Sequence, residues 1–176
     1  MENYFKFYGL QEHFFIDERV LKQKYLTISK ENHPDFFIAD EQKYNEALEL
    51  TSTNNKAYKT LKSFNNRVKH ILELFETLKE SKNEIPQDFL FEMMEINETI
   101  MDLKIKPNAD KQSELFNEVE TLESKLNNEM EAKAKKYDAS DRIGENQPLL
   151  ENIKEIYLKL KYVLRIKESV NTFASF

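Results

Sequence analysis

The amino-acid sequence predicts an all-α protein, and three observations carry that reading. Its 176 residues include only 2 Gly and 4 Pro, well under the roughly 12% that average usage would supply, which disfavours turn-rich β architectures. Apolar residues return at steps of three and four almost throughout, the period of a helix with one buried side. Hydrophobic residues make up 40% and charged residues 33%, a balance that supports a folded core rather than a disordered chain.

The elements follow in chain order. Tyr4-Phe5-Lys6-Phe7-Tyr8 is a short aromatic segment that Gly9 is placed to stop. Asp17 is the candidate N-cap of a helix running to about Asn32. Pro34 cannot continue it, and the residue before a proline also avoids helical angles. A long helix is expected from about Asp40 to Lys62, and another from about Asn66 to Lys79. The polar stretch Ser81-Lys82-Asn83-Glu84 leads into Pro86 and reads as a boundary. It divides a first domain, residues 1–78, from a second, residues 87–176, with 79–86 as the linker.

Three longer helices are expected beyond it, at about 87–105, 110–137 and 147–173. Pro107 closes the first. Asp138-Ala139-Ser140-Asp141 and Gly144 belong to the loop before the last, where Pro148 suits the first turn. Leu115, Val119, Leu122, Leu126 and Met130 line one of these helices, and Leu149, Ile153, Ile156, Leu160, Val163 and Val170 line another. Three such helices bury one another as a bundle.

Composition also excludes function classes. With no cysteine, disulfides, Cys-type zinc sites and thiolate-held iron–sulfur clusters are ruled out within this chain, and no metal or cofactor is expected. His13, His33 and His70 are the only imidazoles, and none sits in a nucleophile or metal signature, so no enzyme is expected. The net charge is −6, which argues against a general nucleic-acid binder. Residues 1–78 carry 11 basic and 12 acidic side chains, and residues 79–176 carry 15 and 20, so the second half is the acidic one. No apolar run approaches the ~18 residues of a membrane span, and the N-terminus lacks a basic region followed by an apolar one. The expected compartment is a reducing cytoplasm.

Two helices carry more than a core face. At about 100° per residue, Leu21, Tyr25 and Ile28 share one side of the helix before Pro34, whereas Arg19, Lys22, Leu26 and Lys30 share the other. A basic stripe running toward a stiff His33-Pro34-Asp35 loop suits docking on an acidic protein surface, where charge speeds encounter and sets orientation; by itself it also fits a merely solvated face. On the helix 87–105, Phe89, Met93, Ile96, Ile100 and Leu103 make an ordinary core stripe. Leu90, Phe91, Met94 and Met101 fall on a separate face bordered by Glu95, Glu98 and Asp102. A bundle helix needs one apolar face, so a second one rimmed with acid points to a partner. The alternatives are that it packs on the first domain or completes a wider core. Leu158, Tyr162 and Ile166 lie similarly off the main face of the last helix.

Taken together, the short helix, the basic helix, His33-Pro34-Asp35 and the returning helix with Asn55-Lys56-Ala57-Tyr58-Lys59-Thr60-Leu61 resemble a J-domain from Asn3 to about Leu74. More narrowly, the opening Tyr4-Phe5-Lys6-Phe7-Tyr8-Gly9-Leu10 with Ile16-Asp17, and Asn66-Arg67-Val68 with Ile71-Leu72, resemble the HscB family of J-proteins dedicated to iron–sulfur cluster assembly. The continuation into a three-helix bundle, in place of a Gly/Phe-rich linker, extends the resemblance over the whole chain. Three departures stand out. Phe36 follows the tripeptide where the family has Lys, Asn54 stands where an apolar residue is usual, and the usual proline is missing around Ser63-Phe64. The absence of the Cys-rich N-terminal extension of eukaryotic relatives points to the bacterial form.

The resemblance implies a co-chaperone without catalysis of its own. His33, Pro34 and Asp35 would contact a DnaK/HscA-type ATPase chaperone and favour its ATP hydrolysis. Lys24 and Lys30 match basic family positions on the second helix, with Lys22 and Arg19 close enough to assist. The scaffold protein IscU would be held by Leu90, Phe91, Met94, Glu95, Glu98, Asp102 and Tyr162. The alternative is a J-domain protein that brings a different client to the housekeeping DnaK chaperone; a helical adaptor in which the tripeptide is incidental is a third reading.

Overall fold

A computed structural model of the chain describes residues 2–78, 85–140 and 146–172. These residues form helices without a strand among them, as the composition and periodicity require. They pack as two compact units, one ending at Glu76 and the other beginning at Thr77. No helix among the described residues is long and apolar enough to cross a membrane.

The first unit contains α1 (Tyr4–Tyr8), α2 (Glu18–Glu31), a 3-10 turn (Pro34–Phe37), α3 (Glu41–Lys62) and α4 (Phe64–Leu74). Its helices start where a short polar side chain accepts an otherwise unpaired backbone N–H: Asn3 caps α1, Asp17 caps α2 and Asp40 caps α3. Gly9 ends α1 in the left-handed region at φ 58°, which a residue with a Cβ adopts only under strain. Tyr25 stacks on Tyr58 at 4.2 Å, and Ser29 meets Asn54 further along. Rising numbers on α2 therefore oppose falling numbers on α3, and the two helices form an antiparallel hairpin.

Asn54 is buried at the centre of this unit. Its amide NH2 donates to the Tyr25 carbonyl and the Ser29 hydroxyl, and its amide oxygen accepts from the Tyr8 hydroxyl. An amide with all its partners satisfied replaces apolar packing here and joins α1, α2 and α3. Arg67 is buried as well. Its Nε donates to the Phe14 carbonyl at 2.7 Å and its terminal nitrogen donates to the Leu61 carbonyl.

Helix α4 differs from its predicted span. Ser63 caps it by accepting the Asn66 N–H, so it opens at Phe64 rather than Asn66, and the serine supplies the stop that a proline would otherwise give. It ends at Leu74 rather than Lys79, and Glu76 takes the left-handed region at φ 52°. Ser81 to Glu84, and with them most of the predicted linker, lie outside the described residues. So do Asp141, Gly144 and the last residue of the predicted 147–173 helix.

The second unit contains α5 (Gln87–Ile105), α6 (Ala109–Asp138) and α7 (Gln147–Thr172). Gln112 near the start of α6 donates to the Val170 carbonyl near the end of α7, so these two helices run antiparallel. Lys167 bridges them by pairing with Glu120 and Glu123 at 2.9 and 2.8 Å, and those carboxylate bonds, Glu123 first, hold its ammonium pKa above the usual range. The core follows the predicted stripes with two exceptions. Leu122 and Leu149 are only half-buried, while Leu150 and Tyr137 are fully enclosed.

Candidate functional site

The His33-Pro34-Asp35 loop is fixed from both sides by helix caps. Asn32 closes α2, with both its backbone N–H and its side-chain amide donating to the Ile28 carbonyl. Asp40 opens α3 by accepting the Lys43 N–H, and that bond, reinforced by the Lys43 ammonium, holds the Asp40 carboxyl pKa below the usual carboxylate range. Between the caps, Pro34 occupies the first position of the 3-10 turn, where its missing N–H leaves no bond unmade. Pro34 is buried, whereas His33 and Asp35 keep 54% and 74% of their side-chain surface exposed. The proline anchors the loop and the two polar residues face outward.

The imidazole of His33 has a defined orientation. Its Nδ1 accepts the Asp35 N–H at 3.3 Å and lies 3.5 Å from the Asp35 carboxylate. With Nδ1 engaged as an acceptor, the neutral ring carries its proton on Nε2 and can donate there. His33 is thus both the cap of the turn and an outward donor. The residue after Asp35 is Phe36, whose N–H closes the turn on the His33 carbonyl at 3.0 Å.

Arg19, Lys22, Leu26 and Lys30 are exposed together on α2, and all four line a shallow groove of about 390 Å³. Lys24 is not with them. It is half-buried on the opposite side, lining a cavity with Phe7, Tyr8 and Val20, and its Nζ lies 4.0 Å from where a Cβ on Gly9 would stand. At 100° per residue, five positions beyond Arg19 puts Lys24 nearer Leu21 than Lys22. The structure therefore separates Lys24 from the other three cations of the predicted chaperone contact.

In the second unit, α5 presents two apolar faces. Phe89, Met93, Ile96, Ile100 and Leu103 are buried against α6 and α7. Leu90, Phe91, Met94 and Met101 are 38%, 66%, 51% and 65% exposed, so this second face does not complete the core. Ile105, 85% exposed, continues the face by another turn, at a spacing of four from Met101 that is legible in the sequence. Glu95, Glu98 and Asp102 are exposed alongside.

From α7, Tyr162 reaches the edge of this region. Its hydroxyl accepts from the Asn97 side-chain amide at 3.1 Å, and its ring meets Phe89 edge-on at 6.1 Å. The Asn97 bond, invisible from periodicity, fixes the tyrosine to α5. Leu158 is half-buried beside it, but Ile166 is buried, so it belongs to the core rather than to a second face.

A family model described as the HscB C-terminal oligomerisation domain matches residues 85–171. The co-chaperone protein HscB of Buchnera aphidicola subsp. Acyrthosiphon pisum (strain Tuc7) is 32% identical over 174 residues, covering 94% of this chain and 98% of its own. The iron-sulfur cluster co-chaperone protein HscB of Homo sapiens is 30% identical over 174 residues, covering 96% of this chain and 67% of its own. Among solved structures, chaperone HscB from Vibrio cholerae superposes with a TM-score of 0.69 at 22% identity, over 97% of this chain and 96% of that one, which shows a shared fold.

Proposed function

The chain belongs to the HscB co-chaperone family, and from that premise we propose that it couples a client to a DnaK/HscA-type ATPase chaperone. In this reading His33 and Asp35 engage the chaperone, with Arg19, Lys22 and Lys30 guiding its approach, while the exposed face of α5 holds an IscU-type scaffold protein. The protein itself performs no covalent chemistry and needs no cofactor. It acts by binding more tightly to the hydrolysis-competent state of the chaperone, and that difference in affinity sets how far it shifts the chaperone toward this state. A bacterial cytoplasm is the proposed compartment.

The observation that carries the first half is the loop itself. A buried Pro34 between two capped helices holds an exposed imidazole and an exposed carboxylate in one orientation. Preorganised polar groups bind with little ordering cost, so a loop of this kind favours recognition. The second half rests on the acid-rimmed apolar face of α5, and the name of the human relative, an iron-sulfur cluster co-chaperone, supports a scaffold as its occupant.

Steady-state ATP hydrolysis by the cognate chaperone tests both halves. Stimulation by the wild-type protein, lost on His33→Gln and rising further with IscU, is the expected result. Stimulation without synergy would keep the chaperone contact and point to a different client of the housekeeping chaperone. Undiminished stimulation by His33→Gln would overturn the role given to the loop.

A further inference from the structure

Two large apolar side chains stand in solvent immediately beyond the loop. Phe36 is 69% exposed and Ile38 is 72% exposed. The phenylalanine is held in position. Phe36 lies within the 3-10 turn, its N–H is bonded to the His33 carbonyl, and its ring centroid is 5.9 Å from that of His33. Phe37, its neighbour, is half-buried, so the turn uses one phenylalanine toward the fold and leaves the other outside it. Exposed aromatics held on rigid backbone lose little freedom when covered, which makes them efficient anchors in protein interfaces.

A third exposed apolar residue is set among the cations: Leu26, 52% exposed, lies in the groove lined by Arg19, Lys22 and Lys30. Charge and apolar surface are thus interleaved along the approach to His33. A surface that complements both offers an apolar recess with carboxylates around it, which describes an acidic protein face. A lipid surface fits less well, because Glu31, Asp35 and Asp40 border the same loop and would be repelled by anionic headgroups.

We propose that Phe36 and Ile38 form an apolar contact with the ATPase chaperone beside the polar contact of His33 and Asp35, so that this co-chaperone selects a partner offering an apolar recess there. The inference rests on the chaperone reading above and adds a determinant of partner choice. The two parts of the interface respond differently to salt: the cationic stripe is screened, and apolar burial is not.

The test is the concentration of full-length protein giving half-maximal stimulation of the chaperone's ATPase, at low and high salt. Phe36→Ala is expected to raise it about tenfold, as truncating a central aromatic anchor does, with the salt dependence unchanged. Lys22→Ala with Lys30→Ala is expected to flatten the salt dependence instead. Far-ultraviolet circular dichroism should be the same for all variants, and Ile38→Ala, a smaller truncation outside the turn, should show a smaller loss in the same direction. Wild-type half-saturation for Phe36→Ala overturns the apolar contact while leaving the chaperone reading intact. No stimulation by the wild-type protein overturns both, and Phe36-dependent binding to anionic vesicles would replace the protein partner with a membrane.

Discussion

The Tyr8 hydroxyl donates to the side-chain oxygen of Asn54 at 2.6 Å, across 46 positions of sequence, and also reaches the Asn54 carbonyl at 2.9 Å. Burial, with smaller contributions from Tyr25 and Tyr58, holds the Tyr8 phenol well above its usual pKa, so it remains a donor at every physiological pH. Asn54→Leu would leave the Tyr8 hydroxyl only the backbone carbonyl at position 54 and would remove the amide that meets the Tyr25 carbonyl and the Ser29 hydroxyl, at a cost of about 1–3 kcal/mol. Tyr8→Phe alone is expected to cost about 1 kcal/mol. The double variant should lose less than the sum, because removing both partners leaves no orphan on that side. A double-mutant cycle from urea unfolding measures the difference, and simple additivity would mean the contact is not a coupled one.

His70 gives the first unit a dependence on acid. It is 2% exposed, its Nε2 accepts the Tyr4 N–H at 3.2 Å, and its ring stacks on Tyr4 at 4.7 Å. Burial pushes its pKa down to about 4. An unfolded histidine binds its proton near pH 6.5, so between there and about 4 the unfolded chain holds more protons than the folded one. Stability therefore falls as pH drops through that window, by roughly 3 kcal/mol in all. Above about pH 6.5 the term vanishes. Urea midpoints of the wild type and His70→Phe, compared from pH 7.5 to 4.5, should converge or cross toward acid, whereas parallel curves would show that His70 is not the group responsible.

Arg67 is a buried cation whose N–H groups meet the Phe14 and Leu61 carbonyls, and it lies 5.8 Å from the centre of the Phe64 ring. Arg67→Ala is expected to cost about 2–4 kcal/mol by stranding these carbonyls and opening a void. Arg67→Lys should recover only a fraction, since an ammonium cannot span two acceptors as a planar guanidinium does. Thermal unfolding followed at the helical signal ranks the three proteins; equal midpoints for Arg67→Lys and the wild type would mean that charge alone matters.

These buried polar groups mark where the sequence stopped being readable. Helix starts at Asp17 and Asp40 could be located because a cap is a local device, complete within four residues. The premature end of α4 could not. Phe75 and Leu78 continue the apolar spacing, and the break is made by Glu76 in a left-handed conformation without the glycine that ordinarily announces one. Asn54 in a core position is explained only by partners on two other helices, which no local pattern contains. That Lys24 stands apart from Arg19, Lys22 and Lys30 is legible too, since its helical angle puts it beside Leu21. On α5 the two stripes were both legible, since separation around a helix is a property of the sequence alone; Ile166 on α7 was not, because how wide an arc its neighbours cover is decided by packing.

That separation around α5 gives the sharpest test of its outer face. Phe89 and Phe91 are two positions apart and differ in exposure by more than tenfold, 5% against 66%. Phe89→Ala removes a ring packed within the bundle and is expected to cost about 3–5 kcal/mol. Phe91→Ala should move stability by no more than about 0.5 kcal/mol, as is usual for a surface position. Binding of the IscU-type scaffold should respond in the opposite way: Phe91→Ala with Met94→Ala loses about tenfold or more in affinity if these residues are the anchors of that contact, with helicity unchanged. Isothermal titration beside urea unfolding reads both quantities on the same samples. A double variant that binds the scaffold as the wild type does would remove this face from the scaffold contact, and one that unfolds would mean that the outer stripe serves the bundle.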